Sequence, residues 1–558
     1  MSEKMSRRSF IAGVGTGLAA VASASAGAAF AADIDAVNEV AGGDYAWDEE
    51  YDVVVVGAGL AGMTAAVAVA NKGGANCLLI EKTDDELGGG NSHYSGGSVI
   101  YTDAEHKADA LTYWKALRED YTTTPDDVLE AFIDYMSTTV DFMREIGAKD
   151  EDFTLYEPGQ AHMLSAAASD NDSDEAKYSS GSIISCWPEY PELEGSTAVG
   201  RMIFSGSEMS TFSIFMHAKV VENADVITYK LNAALTGLVT DETGAVVGAI
   251  YDDNGTPTRV KANKGVIMCC GGFERNAEML QDYLSMPNAY HIAGSGNTGD
   301  GHLICAKLGS KFWHMNSMAG TWNGAVTVDQ SQHAMWFTTG RQYGITVGVN
   351  GRRYYMDVDY VVSNSWWDYL QGEADISTTC ACRHGHYNFG GEWPHMVLPK
   401  TSWFIFDSDN MENAVRGGVM QLCQGDPVEE GWAVKADTIE ELADIIDVPA
   451  DELVTTVDTW NECCEKGVDI QFYRSPDWQT PVKNGPFYAI RMEPEFINTD
   501  GGPVRTAKGE VVDLNGNPIP GLYSAGEFGS VWCDMYQGGG NLSECVNFAR
   551  ICVDSILG

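Results

Sequence analysis

The feature that most constrains the fold is a glycine-rich turn between an apolar strand and a helix. The run 51–56 has the length of a strand without polar alternation, which predicts a parallel strand buried on both faces. It leads into GAGLAG at 57–62 and then into the small-residue helix pattern MTAAVAVANKGG. A second apolar strand ends in Glu81, nineteen residues after Gly62. This order of elements predicts a dinucleotide-binding βαβ unit.

Each glycine of the turn has a physical reason in such a unit. Gly57 permits the tight turn, Gly59 lets the backbone approach a pyrophosphate, and Gly62 lets helix and strand pack closely. The helix N-terminus offers unpaired N–H groups and a positive dipole end to the phosphates. Glu81 can accept hydrogen bonds from a ribose diol. A glycine-rich turn with a purely structural role is the alternative interpretation.

A second glycine-rich loop, LGGGNSHYSGG at 87–97, follows this acid. A loop so placed can wrap the rest of an elongated dinucleotide, with Asn91 and Ser92 supplying hydrogen bonds. NAD-dependent units usually continue with a helix at this point. The loop therefore favours FAD over NAD.

The charge balance excludes several classes of partner. The 558 residues include 34 Lys and Arg against 80 Asp and Glu, a formal net charge of −46. Such a surface repels phosphate backbones and anionic lipid headgroups, so nucleic-acid and anionic-membrane binding are not expected. An acidic shell that only keeps the protein soluble and one that meets a cationic partner remain alternatives.

The N-terminus has the pattern of an export signal. SRRSFI at 6–11 is a twin-arginine motif, and a stretch rich in Ala, Gly and Ser follows it as far as Phe30. The stretch is too mildly apolar for a membrane anchor, and AFA at 29–31 suits signal peptidase. We expect residues 1–31 to be a cleaved twin-arginine signal. The mature protein is then periplasmic or at the cell-envelope exterior, and does not span the membrane.

The cysteine and histidine spacings do not predict a metal centre. The thirteen cysteines are scattered, and several lie in apolar runs, which favours buried free thiols. RHGH at 383–386 offers two histidines without an accompanying carboxylate pattern, so a polar loop is the favoured interpretation. We expect no bound metal.

Further motifs complete a resemblance to a known family. An apolar strand ends in GGF at 271–273, a TGDG helix start lies at 298–301, and SAGE at 524–527 precedes GGGNLS at 538–543. In order along the chain, these motifs resemble the exported flavoprotein family of fumarate reductase, urocanate reductase and 3-ketosteroid dehydrogenase. The resemblance implies an α/β fold, in which a Rossmann-like FAD-binding domain carries an inserted α+β capping domain. It also implies non-covalent FAD.

The same pattern predicts the domain boundaries. After the signal, the first part of the FAD-binding domain takes 48–318, the capping domain that holds the substrate takes 319–485, and the FAD-binding domain returns at 486–558. Tryptophans in the capping segment favour either ordinary packing or an aromatic-lined pocket for a flat, largely apolar substrate; the argument rests on Trp322, Trp336, Trp366, Trp367, Trp393 and Trp403.

The turn chemistry and the resemblance together predict the cofactor-binding residues. By the resemblance, Glu527 binds the ribityl or pyrophosphate region and Asp300 lies near the flavin. The full predicted set is Gly57, Gly59, Ala61, Gly62, Glu81, Lys82, Gly90, Asn91, Ser92, Gly96, Gly97, Ala234, Asp300, Glu527, Gly540, Asn541, Leu542 and Ser543.

Departures from the fumarate-reductase pattern change the predicted substrate. Where those enzymes carry a substrate-binding Arg and a His, this sequence has Gln537 and Asn498. Tyr360 stands near the place of their proton-donating Arg. A dicarboxylate needs fixed cations, so fumarate is not the expected substrate. Tyr536 resembles instead the ketosteroid dehydrogenase branch, where a Tyr holds a substrate carbonyl. The residues predicted to act in catalysis are Tyr360, Tyr536, Asn498, Arg505 and Gln537.

These predictions describe a reductase that transfers a hydride from flavin N5 to an activated C=C bond of an enone or aryl-acrylate. Tyr536 would stabilise charge on the acceptor carbonyl, and Tyr360 would protonate the α-carbon, with Tyr355 and Tyr354 as alternatives. The sequence has no haem-attachment motif, so a membrane or extracytoplasmic cytochrome is the expected electron donor. A ketosteroid-type dehydrogenase that desaturates its substrate is the alternative. A non-catalytic FAD electron-transfer subunit is a third possibility.

Overall fold

A computed structural model gives the arrangement of most of the chain. The described residues are 38–118, 124–160, 162–163, 186–188, 190, 193–205, 211–287, 289–291, 294–319, 322–331, 333–334, 343–354, 401–416, 423, 425–472, 474, 476, 479–533 and 535–558. The predicted export signal, the catalytic candidate Tyr360, its alternative Tyr355 and the RHGH sequence lie outside them.

A nine-stranded sheet carries the glycine-rich turn. At its parallel centre, Glu49–Val56 lies between Thr256–Met268 and Cys77–Ile80, with Ile227–Lys230 beyond. The last four residues of Glu49–Val56 are at most 4% exposed, as predicted for a strand covered on both faces. The other strands of this sheet are Glu39–Val40, Ala233–Thr240, Val246–Asp253, Glu510–Val512 and Pro518–Ser524.

The long strand Thr256–Met268 connects two kinds of pairing. Its first half is antiparallel to Val246–Asp253. Its second half runs parallel both to Glu49–Val56 and to Pro518–Ser524. The C-terminal segment thus returns one strand away from Glu49–Val56, with Thr256–Met268 between them. The closing loop after Pro518–Ser524 reaches the same end of the sheet as the first glycine-rich turn.

Helices cover both faces of this sheet. On one face, Leu60–Lys72 packs against the C-terminal helix Gly540–Leu557 in the largest apolar cluster. On the other face, Ile304 and Cys305 of Asp300–Leu308 pack onto the sheet. The α/β fold is therefore confirmed. The remaining helices of this part are Lys107–Arg118, Asp126–Met136, Thr139–Glu145, Thr211–Glu222 and the short Ala277–Met279.

A second sheet extends beyond the predicted capping domain. Its central strand is Phe487–Phe496, which pairs with Trp322–Val326, Ser402–Asp407 and Ala433–Ala436. A boundary at 486 would divide this sheet, and the chain pairs with the nine-stranded sheet again only from Glu510. The other strands are Tyr290–His291, His333–Ala334 and Ile345–Gly348, and the helices beside the sheet are Met411–Arg416, Ile439–Ile446 and Ala450–Lys466.

The remaining strands of the described residues form four small sheets. Met318–Ala319 pairs with Asn498–Thr499, directly after the central strand Phe487–Phe496. Ser98–Tyr101 pairs with Gly200–Phe204, and Phe153–Tyr156 completes that three-stranded sheet. The remaining pairs are Phe312–Trp313 with Gly502–Pro503 and His162–Met163 with Cys186–Trp187. Across the described ranges, no helix has both the length and the apolar character that crossing a bilayer requires.

The first prediction concerns Gly62. Alanine normally stabilises a helix relative to glycine, but here its methyl group would overlap the Gly57 carbonyl oxygen and lie 3.4 Å from a Leu79 methyl. We therefore expect Gly62→Ala to lower the free energy of unfolding by about 1–3 kcal/mol, as overpacking does, in a denaturant titration.

Gly43→Ala is the matched control, because no atom lies within 4 Å of its added Cβ. Equal stability of the two variants would contradict the close packing of helix on turn.

Candidate functional site

A cavity lies where the first glycine-rich turn, the second loop and the closing loop meet. Most residues predicted to bind the cofactor are in its wall: Gly57, Gly59, Ala61, Glu81, Lys82, Gly90, Asn91, Ser92, Gly96, Asp300, Glu527, Asn541 and Leu542. The rest lie behind it. Gly62 spaces the helix from the turn, and Ala234 alternates along its strand with Ala233 and Leu235, which line the cavity.

Three other predicted cofactor residues also support the wall from behind. Gly97 follows Gly96 with a positive φ of 66°. Gly540 packs against the Trp532 ring, which leaves no room for a Cβ. The Ser543 hydroxyl donates a hydrogen bond of 2.7 Å to the Ile100 carbonyl oxygen. The motif spacing located these residues correctly along the chain, but their side chains or α-carbons face other parts of the protein.

Glu81 holds the first turn in shape. One of its carboxylate oxygens accepts the Ala58 N–H at 2.9 Å, and the other accepts the Thr83 N–H at 3.0 Å and the Thr83 hydroxyl at 2.9 Å. A carboxylate has about four acceptor sites, so these bonds leave capacity for a ribose hydroxyl. The side chain is 6% exposed and lines the cavity.

The second loop caps the helix that begins at Leu60. The Ser92 hydroxyl accepts the Leu60 N–H at 2.9 Å, while Gly59 at the N-cap has no side chain to do so. The sequence predicted that Ser92 would bond the cofactor, and the structure adds this capping role. Asn91 extends across the cavity instead and donates to Glu527 at 3.0 Å.

Lys82 and Asp300 form an ion pair in the cavity wall. The Lys82 ammonium lies 2.5 Å from the Asp300 carboxylate and donates to the Thr298 hydroxyl at 2.7 Å. Asp300 is the first residue of its helix, where a negative charge is stabilised by the helix dipole. The pair therefore fixes the TGDG helix start against the strand that carries Glu81.

Tyr536 lies in the same wall, beside the N-terminus of the C-terminal helix. Its hydroxyl accepts the Asn541 N–H at 3.1 Å. Its ring meets Trp532 edge to face at 5.0 Å. Two contacts thus fix both the ring and the hydroxyl of this predicted catalytic residue.

Asn498, another predicted catalytic residue, also lines the cavity. Its amide donates to Asp500 at 3.1 Å, and the Asn541 amide donates to the same carboxylate oxygen at 3.3 Å. Burial is the main cause that raises the pKa of Asp500 well above its usual range, and the charge of Glu544 adds to it. Asp500 therefore connects Asn498 to the C-terminal helix.

Two predicted catalytic residues face away from the cavity. Gln537 is fully buried, and its side-chain oxygen accepts the Tyr113 hydroxyl at 2.5 Å. Arg505 is 1% exposed and ion-paired with the equally buried Glu544. Its guanidinium also donates to the Ser524 and Gly526 carbonyl oxygens at 3.2 and 3.1 Å. A direct contact of either side chain with substrate is a prediction that the structure does not support.

Tyr354, one alternative to Tyr360, hydrogen-bonds to Ser402 at 2.9 Å. It packs beside the apolar cluster around Phe273 and Phe496 and is not among the described cavity-lining residues. Its position gives no support for a role as proton donor.

Sequence reasoning missed two charged residues at this site. Arg201, 5% exposed on Gly200–Phe204, lines the cavity and donates to the Ser98 hydroxyl. Glu274 lies behind the wall, where its carboxylate accepts the Thr499 N–H at 2.7 Å. Neither belongs to a glycine motif. For Glu274, the one sequence signal nearby was the GGF motif. For Arg201, it was the alternation of side chains along its strand.

The histidines near the site are neutral. Burial lowers the pKa of His302 to about 4, and its ring bonds to the Gly501 carbonyl oxygen at 2.9 Å. Burial likewise lowers the pKa of His314 to about 4. Of the described cavity-lining side chains, only Lys82 and Arg201 are therefore cationic.

The residues present fit a bound FAD. Gly59 exposes backbone at the helix N-terminus, and its nearest neighbour for an added Cβ is the Ser92 hydroxyl at 3.5 Å. The wall beyond it is mainly apolar up to the second helix N-terminus at Asn541. FAD would be held by the turn at Gly57–Gly62, by Glu81 and by Glu527.

Comparison with known proteins agrees with this assignment. The family described as FAD binding domain matches residues 52–542. The 3-oxosteroid 1-dehydrogenase of Mycolicibacterium smegmatis is 26% identical over 91% of this chain and 97% of its own length. Digoxin reductase of Eggerthella lenta is 25% identical over 87% of this chain and 82% of its own.

A solved structure gives the same fold. The crystal structure of 3-ketosteroid Δ1-dehydrogenase from Sterolibacterium denitrificans, in complex with 1,4-androstadiene-3,17-dione, matches with a TM-score of 0.66. The identity is 20%, and the match covers 91% of this chain and 99% of that one.

We expect Glu81→Ala to weaken FAD retention, because it removes the acceptor that holds the Ala58 N–H and the predicted partner of the ribose. The ratio of flavin to protein absorbance after gel filtration should fall by about tenfold, the effect of about 1.4 kcal/mol in binding. The exposed Glu86→Ala is the matched control. A fully flavin-loaded Glu81→Ala protein would argue against the ribose role.

Proposed function

The chain belongs to the FAD binding domain family, and from that premise we propose that it reduces an activated C=C bond of a small organic acceptor. It is an FAD-dependent oxidoreductase. The proposed acceptors are enones and aryl-acrylates, not fumarate. Tyr536 carries this proposal, because it brings a fixed hydroxyl group to the cavity wall.

Tyr536 would act on the carbonyl group that activates the double bond. FAD, when bound and reduced by the external donor, would supply the hydride for the β-carbon. Negative charge then develops on the carbonyl oxygen, and a hydrogen bond from the Tyr536 hydroxyl would stabilise it. The hydroxyl already accepts the Asn541 N–H, which polarises the O–H and strengthens it as a donor. The N-terminal end of the C-terminal helix adds favourable potential at the same place.

The proton for the α-carbon must come from a second group. The sequence motif nominates Tyr360 for this role, by its place in the segment where related reductases carry an Arg. Tyr has a reference pKa of about 10, so it is protonated at neutral pH and can act as a general acid.

The charges of the cavity support an acceptor other than a diacid. Lys82 is held by Asp300, which leaves Arg201 as the other cation of the described wall. Two carboxylates would need two fixed cations for bidentate recognition. Gln537 stands where the resemblance expects a substrate Arg, and it bonds to Tyr113. One buried cation suits a monoacid or a polarised carbonyl group.

Export and the electron donor are part of the same proposal. The twin-arginine pattern at residues 6–11 supports export of the folded flavoprotein. We infer that a membrane or extracytoplasmic cytochrome supplies electrons, and the net charge of −46 would favour a cationic docking face on that partner.

A second candidate reverses the electron flow. The likeness to a protein named 3-oxosteroid 1-dehydrogenase, over nearly the whole of both chains, favours a dehydrogenase that desaturates a ketosteroid-like compound. The same Tyr536 would then polarise the substrate carbonyl. A non-catalytic electron-transfer subunit is less well supported, because it has no use for a fixed hydroxyl in the wall.

A substrate panel distinguishes these candidates. With reduced viologen as donor, we expect turnover on enones or aryl-acrylates and none on fumarate. The dehydrogenase candidate instead predicts dye reduction by saturated ketosteroids. Rapid succinate formation would contradict the argument from cavity charge, and reoxidation by a protein partner alone would favour the electron-transfer subunit.

Tyr536→Phe tests the role of the hydroxyl group. We expect kcat to fall by about 100-fold, the usual cost of losing one donor to a developing oxyanion, while the bound flavin content stays unchanged. Tyr45→Phe is the control, because the Tyr45 hydroxyl bonds to Glu39, far from the cavity wall. Undiminished turnover of Tyr536→Phe would remove the oxyanion argument.

A further inference from the structure

Two buried glutamates, Glu274 and Glu527, lie close together at the cavity. Glu274 follows the strand Thr256–Met268, and Glu527 belongs to the closing loop. Glu274 is 2% exposed and Glu527 is 8% exposed. Both carboxylates converge on Gly272: an added Cβ there would lie 2.5 Å from Glu274 Oε1 and would overlap Glu527 Oε1. Because only a hydrogen atom occupies that position, oxygens of both carboxyl groups approach the same point, and the Asn91 amide donates to both.

The donors that reach this pair are neutral. The Asn91 amide donates to Glu274 at 3.2 Å and to Glu527 at 3.0 Å, and the Thr499 N–H donates to Glu274 at 2.7 Å. The second oxygen of Glu274, Oε2, has no hydrogen-bond partner among the described residues. A buried oxygen without a partner costs much more on a carboxylate than on a carboxylic acid.

The charged groups around the pair do not neutralise it. Asp500 is a third buried acid, and its charge acts on Glu527 in the same direction as that of Glu274. Lys82 is held by Asp300, and Arg505 by Glu544. Arg275 follows Glu274 along the chain, and its charge attracts that of Glu274. It lies at an exposed position, where solvent screens the attraction, so it offsets the charge of the pair only in part.

We propose that Glu274 and Glu527 hold one proton between them at neutral pH, and that this proton lets Glu527 donate a hydrogen bond to bound FAD. Two like charges at hydrogen-bond distance cannot both be ionised at low cost. A fully ionised pair would also repel the two phosphate charges of the cofactor. Glu274 is thus a positioning residue, which acts through Glu527.

The direction of the pH dependence follows. Burial first, and then the charge of Glu274, raise the pKa of Glu527 well above its usual range. The proposed proton is lost as the pH rises through that raised pKa. FAD retention should be strong below this pH and weaker above it.

The experiment measures FAD release from diluted holoenzyme by flavin fluorescence. Between about pH 6 and pH 9, the dissociation constant of the wild type should begin to rise, by about tenfold per pH unit once the linked proton is lost. Glu527→Gln, whose amide always donates, should retain FAD tightly across the whole range. Glu274→Gln removes the like charge beside Glu527 but leaves its burial, so the pH above which retention weakens should be lower than in the wild type.

Opposite levels of retention in the two variants are the result that a merely structural role cannot produce. Glu493→Gln is the matched control: Glu493 is a buried acid whose carboxylate pairs with Arg491 at 2.7 Å, and its loss should leave the wild-type pH dependence intact. A wild type with no pH dependence, or a Glu274→Gln variant whose retention weakens at the same pH as that of the wild type, would overturn the proposal.

Infrared spectroscopy tests the shared proton without any substitution. The difference spectrum between neutral and alkaline wild-type holoenzyme should show the loss of a protonated-carboxyl stretch, in the same pH range in which FAD release increases. If no such band disappears in that range, the two glutamates do not share a proton.

Discussion

The contact between the Gly57 carbonyl oxygen and the α-carbon of Gly62 sets the geometry on which the cavity depends. Any side chain at Gly62 would push the helix Leu60–Lys72 away from the sheet. That helix also packs against the C-terminal helix. A shift would therefore move both helix N-termini that face the cavity, and with them the positive ends of two dipoles.

The acidic character of the chain poses a problem at this site, since FAD carries two phosphate charges. Most of the acidic side chains near the cavity each have their own partners in the structure. Asp300 is neutralised by Lys82, Glu544 by Arg505, and Glu81 accepts backbone and hydroxyl donors. Glu527 is the acid of the cavity wall with only amide donors and another acid as its partners. Sharing a proton with Glu274 would remove the remaining excess charge.

Sequence reasoning succeeded where the constraint is local. The turn at 57–62 and the acid at Glu81 depend on neighbours a few residues away, and their spacing predicted them. The helix start at Asp300 was predicted through the family resemblance. Gly57, Gly59, Ala61, Glu81 and Asp300 line the cavity. It failed where the partner is distant along the chain. The sequence around Gln537 gives no indication of its hydrogen-bond partner, the Tyr113 hydroxyl, which lies 424 residues earlier in the chain. For the same reason, the sequence did not show that Phe487–Phe496 pairs with distant strands, whose first members begin at Tyr290 and Trp322.

Arg505, which the sequence nominated for catalysis, connects two segments of the protein in the structure. It joins the Ser524 and Gly526 carbonyl oxygens to Glu544 on the C-terminal helix. Glu544 in turn accepts the Ser530 hydroxyl at 2.6 Å and the Val531 N–H at 2.8 Å.

The buried pair of Arg505 and Glu544 thus attaches both ends of the loop that carries Glu527 to the C-terminal helix. The first turn of that helix hydrogen-bonds to the Tyr536 hydroxyl. Removing one partner would leave an uncompensated buried charge, at a cost of about 3–5 kcal/mol. Loss of Arg505 would then reduce activity without any contact with the substrate, because the groups that do face the cavity would lose their common support.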